Sequence, residues 1–170
     1  MPKKKIDPVI LRFLGGFLGM ALLLSVLLQV PWVQEQVQNP YTRFIARLDG
    51  WILGAMGIPV TVSGTLVRQG NYAVEIKRGC DGLDVLILFL SAVAAYPFSW
   101  KSRAAGILLG GILIFFLNLI RTVALFLIGR VSDPATFEIF HVYIWQFAII
   151  LLVLVFWIYW VGREKRAVAE

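Results

Sequence analysis

Three side chains in this sequence carry chemistry that their surroundings do not. They are Cys80 in "RGCDGLDVLILFL", Arg121 in "NLIRTVALFL" and His141 in "FEIFHVYIWQF". Each stands at the edge of, or inside, a long apolar run, where a polar group is costly. A thiol at the head of a helix is a candidate nucleophile, because unpaired N–H groups, the helix dipole and a nearby guanidinium all favour the thiolate. Asp81 and Asp84 oppose that effect. An imidazole can hold and deliver a proton, and a guanidinium in a poorly solvated site can stabilise a thiolate or an oxyanion. Asn118 lies one turn before Arg121 on the same helical face. With Asp84 and Glu138 it is a candidate to orient the reacting groups. Each residue also has a plainer role available. A free cysteine is commonly a small buried hydrophobe, a histidine at an interface is often a polar anchor, and Arg121 can snorkel or pair with an acid such as Asp84.

The elements that position these residues are apolar helices. Of the 170 residues, 59% are hydrophobic, well above the share in an ordinary soluble domain. Runs at about 9–30, 104–128 and 139–161 are long enough to cross a bilayer, and a shorter run at about 81–98 carries polar residues at its head. The expectation is an all-α membrane protein, a four-span helical bundle forming one integral membrane domain over 1–170, with an outer segment at 31–79. "MPKKK" before the first run resembles a signal sequence, but the apolar stretch is long and no small-x-small site precedes "QVPW", so a retained helix is expected.

The net charge of +6 follows this topology. Lys3, Lys4, Lys5 and Arg12 flank the first run, Lys101 and Arg103 fill the loop between the second and third, and Arg163, Lys165 and Arg166 follow the fourth. The positive-inside rule puts all three groups and both termini in the cytoplasm. No compact basic patch remains for nucleic acid, and the expected contact is anionic lipid. A single cysteine excludes an intramolecular disulfide, and with a single histidine leaves no zinc-ligand cluster. No metal or organic cofactor is expected.

Within the outer segment, apolar residues from Tyr41 to Met56 recur at helical spacing and predict an amphipathic helix on the bilayer interface, barred from continuing by Pro59. "VTVSGTLVRQGNYAVEIK" then alternates with period two, punctuated by Gly64 and "QGN", and predicts a small antiparallel β-element leading into Cys80. "GRVSDPATFE" is expected as an outer loop. Arg121 falls about seven residues before the outer end of the third run, or about 10 Å below it. Cys80, Arg121 and His141 therefore share the outer half of the bilayer or its edge.

In that order, and on consecutive spans, "RGCDGLDVLILFL", "NLIRTVALFL" and "FEIFH" resemble the exosortase/archaeosortase family of multi-pass membrane cysteine transpeptidases. The resemblance covers about 60–161 and is closest to short, compact members of the kind called exosortase H; Asp81 departs from the Ser or Asn more usual there. It implies Cys80, Arg121 and His141 as the catalytic set. It further implies a substrate that is an exported protein ending in a recognition motif, a transmembrane helix and a basic tail. The expected activity is cleavage of that sorting signal through a Cys80 thioester and transfer to an acceptor. The expected location is the cell inner (plasma) membrane, with the site facing the periplasm or outside. Two other classes fit the residues alone: a non-catalytic transporter subunit or scaffold using Arg121 as a pin, and a thiol acyltransferase.

Overall fold

The computed structural model describes residues 8–169, with side chains described through Glu164. Lys3–Lys5 lie outside the described residues, and Lys165 and Arg166 outside the described side chains. Helix α1 (Pro8–Gln29) is followed by α2 (Pro31–Val33), a π-helical turn (Gln34–Gln38) and α3 (Asn39–Ala55). Strands β1 (Thr61–Ser63), β2 (Leu66–Gln69) and β3 (Tyr72–Glu75) come next, then α4 (Leu83–Ala95) and α5 (Trp100–Val131). The chain ends with α6 (Pro134–Glu138), a second π-helical turn (Ile139–Ile144) and α7 (Trp145–Ala169).

Among the described residues, three stretches are long and apolar enough to cross a membrane: Pro8–Gln29, Trp100–Val131 and Pro134–Glu164. The fourth expected span is shorter as a helix than the run at 81–98 suggests. Gly82, at φ 84°, opens α4 in a left-handed conformation, and Tyr96, held extended before Pro97, closes it. Its 13 residues make about 20 Å of helix, less than the roughly 30 Å of a hydrocarbon layer.

Helix α5 is the axis of the molecule. The side chain of Ser99 caps it, accepting from the Ser102 N–H. Gly106 and Gly110 let aromatic rings approach closely: a Cβ at Gly106 would meet Trp160 of α7, and one at Gly110 would meet Phe89 of α4. Around them Phe89, Val93, Phe98, Ile114 and Trp160 form one buried cluster. The far end of α5 is apolar for a different reason. Val123 and Phe126 pack with Ile45, Ala46 and Leu53 of α3, with Val67 of β2 and with Ile76 just beyond β3. This part of α5 is covered by protein rather than left for lipid.

The expected amphipathic helix is present as α3, and its apolar face is covered by protein. Thr42, Ile45, Ala46, Asp49 and Leu53 form the buried stripe of α3, at the spacing of one helical face. The stripe docks on α5 and the sheet, while Phe44 and Trp51 face outward. The sequence shows the amphipathicity but not what covers it. The sheet is antiparallel in the order β1-β2-β3, with Gly64 and Gly70 at positive φ in its two turns. Arg130 near the end of α5 donates to Gln69 Oε1 at 3.0 Å and holds the hairpin to the helix.

The expected outer loop "GRVSDPATFE" is almost wholly helical. Only Ser132 and Asp133 separate α5 from α6. The Asp133 carboxylate caps α6, accepting from Ala135 and Thr136 N–H at 2.9 and 3.0 Å, with Pro134 in the first turn.

Candidate active site

The segment Gly79–Gly82 shapes the cysteine's position. Gly79 and Gly82 both have φ near 85°, a region other residues enter only at a cost. Between them, the Cys80 N–H donates to the Lys77 carbonyl at 3.0 Å. A Cβ on Gly82 would press on Asn118 of α5, so this glycine allows the loop to seat directly on the arginine-bearing helix.

Side chains tie the loop down on both flanks. Asp81, fully buried, accepts from the Thr42 hydroxyl at 2.9 Å and from the Leu83 N–H at 3.2 Å. Arg78 donates to Gln34 Oε1 of the first π-helical turn. On the facing helix, Thr122 donates to Asp49 at 2.9 Å, with the Leu119 and Asn118 carbonyls also within reach. Sequence reasoning missed the roles of Thr42 and Asp49. The available signal was two polar residues inside the apolar stripe of an amphipathic helix.

These ties bring the sulfur of Cys80 to 3.2 Å from His141 Nε2, across 61 positions of sequence. His141 belongs to the second π-helical turn, and its ring stacks on Phe137 with centroids 5.6 Å apart. A π-bulge shifts the side-chain phase of a helix and recurs at functional positions; here it carries the imidazole. Arg121 is 4% exposed, and its Nε has no hydrogen-bond partner among the described residues. Its charge acts on both Cys80 and His141. Burial pushes the Cys80 thiol above its ordinary range, the Arg121 guanidinium pulls it down, and Asp81 adds a further upward push. The sulfur thus stands under opposing influences beside an imidazole nitrogen that can take up or deliver a proton.

The three expected catalytic residues converge, and the three expected orienters lie around them, Asn118 and Asp84 against the cysteine loop and Glu138 one turn before His141. Asn118 is buried under Gly82 with both amide atoms unpartnered among the described residues, so it supports the loop by contact. Asp84 is exposed; its carboxylate lies about 3.5 Å from where a Cβ on Gly79 would sit, its charge pushes the Cys80 thiol up, and it also borders an apolar groove with Phe17 and Gln146. Glu138 is exposed and reaches His141 only through its charge.

Cys80 and His141 sit at the end of a cleft of about 510 Å³ bounded by β3 on one side and by Leu125, Gly129 and Phe137 on the other. A thiol–imidazole pair opening into such a cleft, beside a buried cation, can form and break an acyl bond.

The family model for transmembrane exosortases matches residues 13–159. No curated protein and no solved structure matches the chain. The matched region takes in the cysteine loop, the arginine helix and the histidine turn, together with most of all three membrane-length helices. This membrane protein belongs to the transmembrane exosortase family.

Proposed function

We propose that the protein is a membrane-embedded cysteine protease/transpeptidase that removes the C-terminal sorting signals of exported proteins. The observation that carries this reading is the 3.2 Å approach of Cys80 Sγ to His141 Nε2, within reach of the Arg121 charge.

His141 takes the thiol proton as the sulfur attacks the carbonyl carbon of the scissile peptide. Arg121 stabilises the oxyanion of the tetrahedral intermediate. The C–N bond then breaks, His141 protonates the departing amine of the tail, and the substrate remains as a thioester on Cys80. An acceptor amine or hydroxyl gives its proton to His141 and attacks the thioester, and breaking of the C–S bond frees the cysteine. Water in place of that acceptor makes the same steps a hydrolysis.

The chain crosses the cell inner membrane four times with both termini in the cytoplasm and the site outside. The residues at about 81–98, helix and flanks together, form the fourth crossing as part of one integral membrane domain. Gly82 packs at the level of Asn118, and from there α5 runs back to Trp100, about 27 Å at 1.5 Å per residue. The inner end carries Lys101 and Arg103, as the positive-inside rule asks. The partners are exported proteins ending in a motif, a transmembrane helix and a basic tail.

The test is to co-express such a tailed protein with the wild type and with Cys80→Ala, Arg121→Ala or His141→Ala. Tail removal is expected with the wild type alone. Normal removal by a correctly inserted Cys80→Ala protein would end the proposal.

A further inference from the structure

The cleft that ends at Cys80 has an unusual wall. Residues 72–77 line it consecutively. Side chains alternate between the two faces of a strand, so a cleft bordered by every residue in turn meets the strand's edge rather than a face. Strand β3 is an edge of the sheet, paired only with β2.

The hydrogen-bond parity of that edge can be worked out. The Ile76 N–H donates to the Thr65 carbonyl, and the register pairs Val67 with Val74 and Gln69 with Tyr72 across a two-residue turn. In an antiparallel ladder alternate residues direct both backbone groups at the partner. Tyr72, Val74 and Ile76 therefore bond toward β2, and Ala73 and Glu75 present N–H and C=O to the cleft. The side chains of Ala73 and Glu75 are exposed. An open edge of this kind is a template for another strand.

The strand also descends toward the chemistry. At its start, the Tyr72 hydroxyl lies where a Cβ on Gly129 would sit, while the cleft also reaches Thr122 beside Arg121. These two levels on α5 are seven residues apart, or about 10 Å.

We propose that β3 is the substrate-docking strand: the exported protein's segment just ahead of its scissile bond adds to the sheet as a fourth, extended strand. This rests on the function proposed above. It adds that recognition is made through the substrate backbone at Ala73 and Glu75. The substrate strand runs parallel to β3, since a chain that enters the membrane with its C-terminal end follows the same descent.

The test uses the purified full chain in lipid nanodiscs and a library of tetrapeptide chloromethyl ketones, whose ketone stands at the peptide's C-terminal end. Cys80 displaces chloride to form a thioether, counted by mass, and labelling by iodoacetamide gives the denominator. The fastest library members are expected to lose at least tenfold in relative rate when their backbone amides are N-methylated. They should also outpace the same peptides carrying an N-terminal chloroacetyl group by a similar factor. Glu75→Pro and Ala73→Pro should lower the relative rate at least tenfold, because proline on an edge strand removes an outward N–H without breaking the inner ladder. The N-methyl comparison is made on the wild type, so a misfolded proline variant does not shelter the proposal. Relative rates indifferent to N-methylation overturn it, as does a dimer whose dissociation speeds labelling, which would put a second copy on the edge. Whether His141→Ala slows iodoacetamide labelling is read separately, and it bears on the thiol–imidazole pair rather than on the edge.

Discussion

Thr42 and Asp49 stand two turns apart on one face of α3, and each grips a residue next in sequence to a catalytic candidate. Thr42 holds Asp81, the neighbour of Cys80, and Asp49 is held by Thr122, the neighbour of Arg121. One helix that contributes nothing to the chemistry thus sets the distance between the loop bearing the sulfur and the helix bearing the guanidinium.

Replacing Thr42 with Val should therefore disturb activity more than its distance from substrate suggests. It leaves a buried Asp81 carboxylate oxygen without its hydroxyl donor, an omission that costs about 1–3 kcal/mol. The expected outcome is a lower Tm together with at least a tenfold slower tail removal. Thr42→Ser keeps the donor and should restore both.

The thiol's reactivity should depend on pH in a defined direction. Burial holds Cys80 above its usual range, so the rate of iodoacetamide alkylation should be low near neutrality and climb steeply in the alkaline range. Arg121 lowers the thiol's pKa; Arg121→Ala should move the inflection of the rate–pH curve to higher pH. An inflection that moves down would contradict the placement of the guanidinium.

Asp49 makes folding stability pH-dependent. Burial raises its carboxyl to about 7, against a partial opposing effect of the Thr122 hydrogen bond. A raised folded-state value means that the folded protein holds this proton more tightly than the unfolded chain does. The contribution is complete below the ordinary carboxyl value of 3.8 and disappears as pH rises through about 7. Tm should fall by several degrees across that window, and Asp49→Asn should remove most of the fall.

Gly82→Ala should be harmful although it adds a single methyl group. The left-handed conformation costs an L-residue about 1–2 kcal/mol, and the new Cβ would push on Asn118. Reduced Tm and loss of tail removal are expected together. Gly54 faces open space on α3, and Gly54→Ala should leave both unchanged.

The sequence made some of this legible and hid the rest for identifiable reasons. Apolar runs long enough to span were visible because length and composition alone define them. The β-element was visible through Gly64, Gly70 and the alternation of valines. The order of Cys80, Arg121 and His141 along consecutive runs was enough to expect them on one side. The early end of α4 could have been inferred from Pro97. The outer end of α5 could not, because a helix covered by protein and one covered by lipid are equally apolar. The π-helical turn at His141 leaves no mark in residue periodicity, since it is set by how α6 and α7 join. The polar positions of Thr42 and Asp49 within an apolar stripe were visible, but their partners lie 39 and 73 positions away in sequence, which no local pattern names.

The length of α5 has a mechanical consequence. Its 32 residues make about 48 Å of helix, well beyond a roughly 30 Å hydrocarbon layer, and α3 and the sheet are bolted to the excess. On the topology proposed above, altitude above the lipid is a property of this rod, against which a bilayer of another thickness slides like water on a gauge. With that placement, acyl chains a few carbons longer should submerge Arg121 and the thiol beneath the surface, and shorter ones should leave them high and dry.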